Sequence, residues 1–175
     1  MFFPCDDGNN DNGDGCTFDC FIEEGYQCLG GGFKNSDVCQ EICGDGITRI
    51  FNASRCDDGN VFAGDGCSIS CDIETGWECS GGSLTVRDFC NEICADGLNA
   101  GGLECDDGNA VSGDGCSSTC SIETGYNCTG GSLFNPDTCQ EICGDGIGFN
   151  NYECDDGNNA TGDGCGLYCN IETAW

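Results

Sequence analysis

The sequence predicts a small disulfide-rich fold of tandem repeats, irregular apart from short β-hairpins and helical turns, and strung out as an elongated linear rod. Three observations carry this expectation. The chain holds 21 cysteines in 175 residues, the pentapeptide CDDGN recurs four times, and 31 glycines stand against few large aliphatic residues. Cysteine at this density marks a scaffold made in an oxidising compartment. The alternative, a zinc protein, is disfavoured because there is no histidine and no short CxxC pair. So little apolar mass cannot fill one sizeable core. Cross-links must replace much of it, each contributing about 3 kcal/mol for a loop of ~15 residues.

The repeat sets the organisation. CDDGN begins at Cys5, Cys56, Cys105 and Cys154, giving periods of 51, 49 and 49 residues. Each unit reads CDDGN, three variable residues, GDGC, three residues, C, one residue, Ile-Glu, two residues, an aromatic, one residue, C. A Gly-Gly segment, a C-x3-C pair and a GDG or ADG turn complete it. Four units follow, at 1–43, 44–94, 95–143 and 144–175, the first truncated at its N-terminal side and the last at its C-terminal side. The pattern breaks at both ends, and Met1-Phe2-Phe3-Pro4 is too short for a signal peptide. The expectation is therefore a window on a longer secreted array.

Cysteines Cys56, Cys67, Cys71, Cys79, Cys90, Cys94, Cys105, Cys116, Cys120, Cys128, Cys139 and Cys143 are expected in disulfides, with unpaired thiols confined to the terminal units. Six cysteines per unit allow about fifteen pairings, so the connectivity stays open. The two cysteines of a C-x3-C pair should reach other segments instead of each other. Clusters of Asp-Gly, Gly-Asn and Gly-Gly predict turns roughly every ten residues. Helical turns are expected at 67–74 and 90–94, and short strands where Tyr26, Trp77 and Tyr126 precede a cysteine. Ile22, Ile73, Ile122 and Ile171 should pack on the disulfides as small cores. Segments such as 97–104 should join units stacked in a line.

Charge excludes several functions. Thirty-two acidic residues face only Lys34, Arg49, Arg55 and Arg87, for a net charge of −28. Nucleic acid requires basic contacts and is excluded as a partner, and an anionic membrane surface would repel the chain. No stretch approaches the ~20 apolar residues of a membrane helix, so no membrane insertion is expected. From Asp88 onward there is no basic side chain, so carboxylates there must spread into water or meet cations. Catalysis has little support, because the usual histidine base is missing. Paired carboxylates serve glycosidases, but the same pair recurs four times here, as a scaffold feature does. No enzyme is expected.

Each unit offers a candidate calcium loop of hard oxygen donors. The sets are Asp6, Asp7, Asn9 and Asp14; Asp57, Asp58, Asn60 and Asp65; Asp106, Asp107, Asn109 and Asp114; and Asp155, Asp156, Asn158 and Asp163. The spacing is not that of an EF-hand, since Phe62 stands where a fifth-position ligand belongs. Asp, Asn and Gly are also the common turn formers, and that plainer reading stands beside calcium. Asn52, Asn127 and Asn159 head N-glycosylation signals, implying N-linked glycans.

The pattern CGDG…CDDGN…GDGCS…C.IE.G[WY].C resembles the myxococcal cysteine-rich disulfide repeat over nearly the whole chain. It rests on Asp57-Asp58-Gly59-Asn60, Gly64-Asp65-Gly66-Cys67 and Ile73-Glu74 at fixed cysteine spacings. Ala95, where other units have Gly44 and Gly144, and Ala174, where they have Gly25, Gly76 and Gly125, depart from it. The resemblance implies a secreted or surface protein of the kind found in bacteria and ciliates, with similar units in pappalysin-like proteins. The leading expectation is an extracellular structural rod or filament component that contacts itself or neighbouring repeats. A calcium-dependent adhesion or ligand-binding stalk, and an accessory region of a large secreted enzyme, are the alternatives.

Overall fold

The computed structural model describes residues 4–49, 55–149 and 151–173. Six four-residue strands form three antiparallel hairpins: β1 (Tyr26–Leu29) with β2 (Val38–Glu41), β3 (Trp77–Ser80) with β4 (Phe89–Glu92), and β5 (Tyr126–Thr129) with β6 (Thr138–Glu141). The aromatic-x-Cys segments are indeed strands. Cys28 lies directly across from Cys39 and Cys128 across from Cys139, and each facing pair is bonded. The rest of the described chain is turns, bends and isolated bridges, with no helix among the described residues.

The expected helical turn at 90–94 is not formed. Cys90 lies in β4, bonded back to Cys79, while Cys94 bonds forward to Cys120. A helix would put the two sulfurs on one face, and the two partners lie in different segments. At 67–74 there is a tight turn in place of a helical one: Cys71 N–H donates to the Ser68 carbonyl (2.8 Å) and Ser68 N–H to Asp72 (2.9 Å).

Twenty cysteines form ten disulfides, and Cys20 alone is a thiol. The pairing repeats. First bonds second, as in Cys56–Cys67 and Cys105–Cys116. Fourth bonds fifth, as in Cys79–Cys90. The sixth reaches forward to the third cysteine of the next unit: Cys43–Cys71, Cys94–Cys120 and Cys143–Cys169. The short links span 11 residues and the forward links 26 or 28. Loop entropy gives about 2.8 kcal/mol for a short link and about 3.6 kcal/mol for a forward one.

The chain divides into two compact units, Met1–Asn91 and Glu92–Trp175. In both, the interior consists chiefly of cystine. In the second, Cys105, Cys116, Cys120 and Cys128 form the buried cluster, with Cys94, Leu103 and Cys139 packed on it. The isoleucines expected in small cores lie outside them: Ile22, Ile122 and Ile171 are exposed and Ile73 is half-buried. Sulfur fills the space they would have taken. Their backbones instead bridge the second cysteine, as in Cys67↔Ile73. Tyr26 and Tyr126 are buried, and their hydroxyls donate to the Gly13 and Gly113 carbonyls (3.1 and 3.2 Å).

The residue after the sixth cysteine has a left-handed backbone, with φ of 88° at Gly44, 87° at Gly144 and 72° at Ala95. A Cβ at Gly44 would fall 2.7 Å from Val61 Cγ1 and 2.8 Å from the Asn60 carbonyl oxygen, and one at Gly144 would meet the Asn159 side chain. Opposite Ala95 the corresponding residue is Ala110. The small partner leaves room for the methyl that the other junctions forbid. Ala110→Val should therefore cost about 1–3 kcal/mol by overpacking, and adding Ala95→Gly should restore most of that. Denaturant unfolding of the oxidised protein checks this. Equal losses in the single and double variants would show that the two side chains do not compete.

Candidate functional site

The CDDGN loop divides its acidic residues between two tasks. The first aspartate turns inward. Asp57 Oδ2 accepts the Gly44 N–H (2.8 Å), and Oδ1 accepts those of Gly46 (2.8 Å) and Gly59 (2.9 Å). Asp106 accepts from Ala95, Gly97 and Gly108 at 2.8–2.9 Å, and Asp155 from Gly144, Gly146 and Gly157 at 2.8–3.0 Å. Two of the three donors come from the turn after the preceding sixth cysteine. The carboxylate also touches the forward cystine, with Cys71 Sγ 3.6 Å from Asp57 Oδ2. Asp57 and Asp106 are fully buried, at 1 % and 0 % exposure. Three N–H donors stabilise a buried anion without any basic residue. The Gly157 N–H, aided by those of Gly146 and Gly144, holds Asp155 below the usual carboxylate range.

Carboxylates of the second half were expected to meet water or cations, and the structure shows this third solution, backbone amides. Cys43, Asp57 and Cys71 converge closely enough for a metal, but the two cysteines are bonded to each other, so this cluster is the cross-link itself.

The second aspartate, the asparagine and the third aspartate stay together within the loop. Asn60 Nδ2 donates to Asp58 Oδ2 and to Asp65 Oδ2, both at 2.9 Å. The same bridge runs from Asn9 to Asp14 (2.8 Å), Asn109 to Asp114 (3.1 Å) and Asn158 to Asp163 (3.3 Å). The asparagine oxygen is taken by a backbone N–H two residues on, Phe62 in the second unit. Asp7, Asp58, Asp107 and Asp156 each accept the N–H of that asparagine through Oδ1. Two carboxylate oxygens, Asp7 Oδ2 and Asp65 Oδ1, are buried without a hydrogen-bond partner. Burial pushes the Asp58 carboxyl up, and neighbouring Asp65 adds to this; Asp107 is pushed up by burial and by Asp114. Of the calcium candidates, then, Asp57, Asp106 and Asp155 are consumed by backbone donors. The remaining pairs keep oxygen to spare. Among the described residues, the Asp6 carboxylate has no turn donors and accepts only the Gly8 N–H (3.1 Å).

Two further carboxylates went unassigned in the sequence. Glu74 accepts the Gly64 and Gly66 N–H groups (2.7 and 3.0 Å), closing the GDG turn, and Glu23, Glu123 and Glu172 do the same in their units. The fixed Ile-Glu dipeptide was the available signal. Asp88 accepts from Asp57 N–H (3.0 Å), Gly82 N–H (2.8 Å) and Thr48 Oγ1 (2.6 Å), tying the loop to the hairpin. In Asp137, burial is outweighed by the Asn99 amide and the N–H groups of Asp106 and Gly131, and its carboxyl lies below the usual range. Asn127 is exposed on β5 and Asn159 is exposed on its loop, while Asn52 lies outside the described residues.

A family model, the domain of unknown function DUF4215, matches residues 23–72, 74–121 and 125–170. The chain belongs to this family. Each matched window holds six cysteines that bond only among themselves: the first encloses Cys28–Cys39, Cys43–Cys71 and Cys56–Cys67. A DUF4215 unit is thus a covalently closed set of three disulfides, beginning at or just after the glutamate of Ile-Glu. No curated protein and no solved structure matches the chain.

Asp58 and Asp155 respond to pH with opposite sign. Asp58 is raised, so its stabilising contribution is complete below the unfolded carboxyl pKa of ~3.9 and is lost as pH rises through the folded value. Asp155 is lowered, so its contribution is present above ~3.9 and is lost as pH falls through the folded value. Asp58→Asn should raise the thermal midpoint at neutral pH in a chelating buffer, with the gain vanishing on acidification. Asp155→Asn should lower it at neutral pH, and that loss should fade in acid. Calorimetry between pH 2.5 and 7 on the oxidised proteins reads both effects, and like-signed shifts would contradict the assignment.

Proposed function

We propose that the protein is an extracellular structural repeat protein, a component of a glycosylated surface rod or filament, and not an enzyme. One observation supports this above the others: the sixth cysteine of one repeat is bonded to the third of the next, beside a carboxylate that binds both. Successive repeats thereby share a covalent and hydrogen-bonded junction, the connection that a load-bearing array requires. Ten disulfides in 175 residues favour secretion, because such links persist in oxidising compartments. Among the described residues no helix is long and apolar enough to cross a membrane. Exposed Asn127 and Asn159 suit N-linked glycans, and kinship with the myxococcal repeat belongs to the same proposal. Small-angle scattering of the oxidised protein tests the rod. A compact body of 175 residues has a radius of gyration of about 16 Å, so the proposal requires a clearly larger value, and a value at that level rejects it.

A second reading, a calcium-dependent adhesion stalk, is favoured by the unpartnered Asp65 Oδ1 beside Asp58. Under it, millimolar calcium raises the thermal midpoint of the wild type and does so much less in Asp58→Asn. Equal shifts in both proteins would remove this reading.

A further inference from the structure

The forward junction appears three times in occupied form, and its receiving face has three parts. A carboxylate (Asp57, Asp106 or Asp155) takes the two turn N–H groups. A glycine (Gly59, Gly108 or Gly157) lets the incoming turn glycine approach, so that a Cβ on it would stand 3.4–3.6 Å from that residue's Cα. The third cysteine (Cys71, Cys120 or Cys169) takes the sulfur. In the first repeat the same face is present, and among the described residues no turn occupies it. Asp6 is exposed where Asp57 and Asp106 are buried, and Cys20 is half-buried where its counterparts are 1–3 % exposed. Its geometry is nonetheless that of an occupied face. Cys20 has φ of 62°, against 58°, 53° and 51° at Cys71, Cys120 and Cys169, and its N–H donates to the Thr17 carbonyl (2.7 Å) as Cys71 N–H does to Ser68. The acceptor is therefore formed before it is filled.

We propose that Asp6, Gly8 and Cys20 form a docking site for a Cys-(Gly/Ala)-Asp-Gly turn of another DUF4215 unit, which becomes linked through a disulfide to Cys20. The occupant is a unit whose sixth cysteine is otherwise unbonded, on the same polypeptide or on another. A second copy of this chain does not qualify, because Cys43, Cys94 and Cys143 are all bonded. Recognition comes from two N–H groups on one carboxylate and a glycine-to-glycine approach, so it reads the turn and not merely a thiol. The inference stands independently of the filament reading, since it concerns how one unit receives another in any array.

The test uses the oxidised protein and a nine-residue peptide of residues 140–148, in which Cys143 is carried as its mixed disulfide with glutathione. The Cys20 thiolate attacks the peptide sulfur, the bond to glutathione breaks, and glutathione leaves as a thiolate that takes up the Cys20 proton. One disulfide is consumed and one is formed. Mass spectrometry should show the peptide on Cys20. A control peptide with both Gly144 and Gly146 replaced by valine should be captured at least about tenfold more slowly, because valine resists the left-handed backbone (φ of 87° and 82°) that aims these two N–H groups at the carboxylate. Asp6→Asn should abolish most of that preference while leaving Cys20 equally reactive toward a small alkylating reagent. Equal capture of the two peptides, a glutathione adduct in place of the peptide, or a Cys20–Cys20 dimer of the protein would each overturn the proposal.

Discussion

The fold depends on one buried anion. Asp57, and its counterparts Asp106 and Asp155, accept three backbone N–H groups, of which two belong to the turn of the preceding repeat and one to their own loop. A carboxylate placed there without those donors would carry a large desolvation cost, and a turn placed there without the carboxylate would leave its N–H groups unpaired. Each side is thus stabilised only in the presence of the other. The forward cystine sits on the same spot, so the covalent link and the hydrogen bonds define a single junction. This is why the closed DUF4215 unit runs on to end just past the next repeat's third cysteine.

A chain of net charge −28 with four basic residues needs a way to keep carboxylates inside. Backbone N–H groups provide it at three recurrent places: the junction aspartate, the glutamate on the GDG turn, and the aspartate ahead of the second hairpin strand. Glycine is the residue that makes such close, many-donor contacts possible. Basic side chains enter only locally, as where Arg55 lies 3.5 Å from Glu41 and 3.3 Å from Asp72. Carboxylate oxygens left without a partner include Asp7 Oδ2 and Asp65 Oδ1 in the loops and Glu141 Oε2 on β6. Within a single pentapeptide, Asp57 is thereby given to backbone donors of the junction and Asp58 to its own loop.

Much of this was legible in the sequence. The cysteine period fixed the repeat, the aromatic-x-Cys segments announced the strands, and the C-x3-C pairs announced two separate partners. Other features were hidden for physical reasons. Cys90 and Cys94 have helical spacing, yet one closes a hairpin and the other leaves for the next repeat. The isoleucines look like core residues, yet cystine is dense enough to occupy that space. CDDGN is the most conspicuous string, yet each covalently closed set of cysteines straddles it, from Cys28 to Cys71 in the first. The roles of Asp57 and Asp58 cannot be separated by residue type, because only the arrival of a neighbouring turn distinguishes them.

Repetition creates a problem of register that the junctions themselves answer. Short links of 11 residues close at low entropic cost, leaving third and sixth cysteines to find each other. Cys94 then has Cys71 behind it, 23 residues away, and Cys120 ahead, 26 residues away. Loop entropy barely separates the two, since (3/2)RT ln(26/23) is about 0.1 kcal/mol. Packing does separate them. Docking the turn after Cys94 on the face around Cys71 would bring the Ala95 methyl against Val61, where a Cβ at Gly44 already stands 2.7 Å from Cγ1. Docking it on the face around Cys120 sets the same methyl against Ala110, which leaves it room. The substitution that departs from the glycine pattern is matched by a small residue at only one of the four faces, and in this way a repeat sequence gains a junction that is specific to its place in the order.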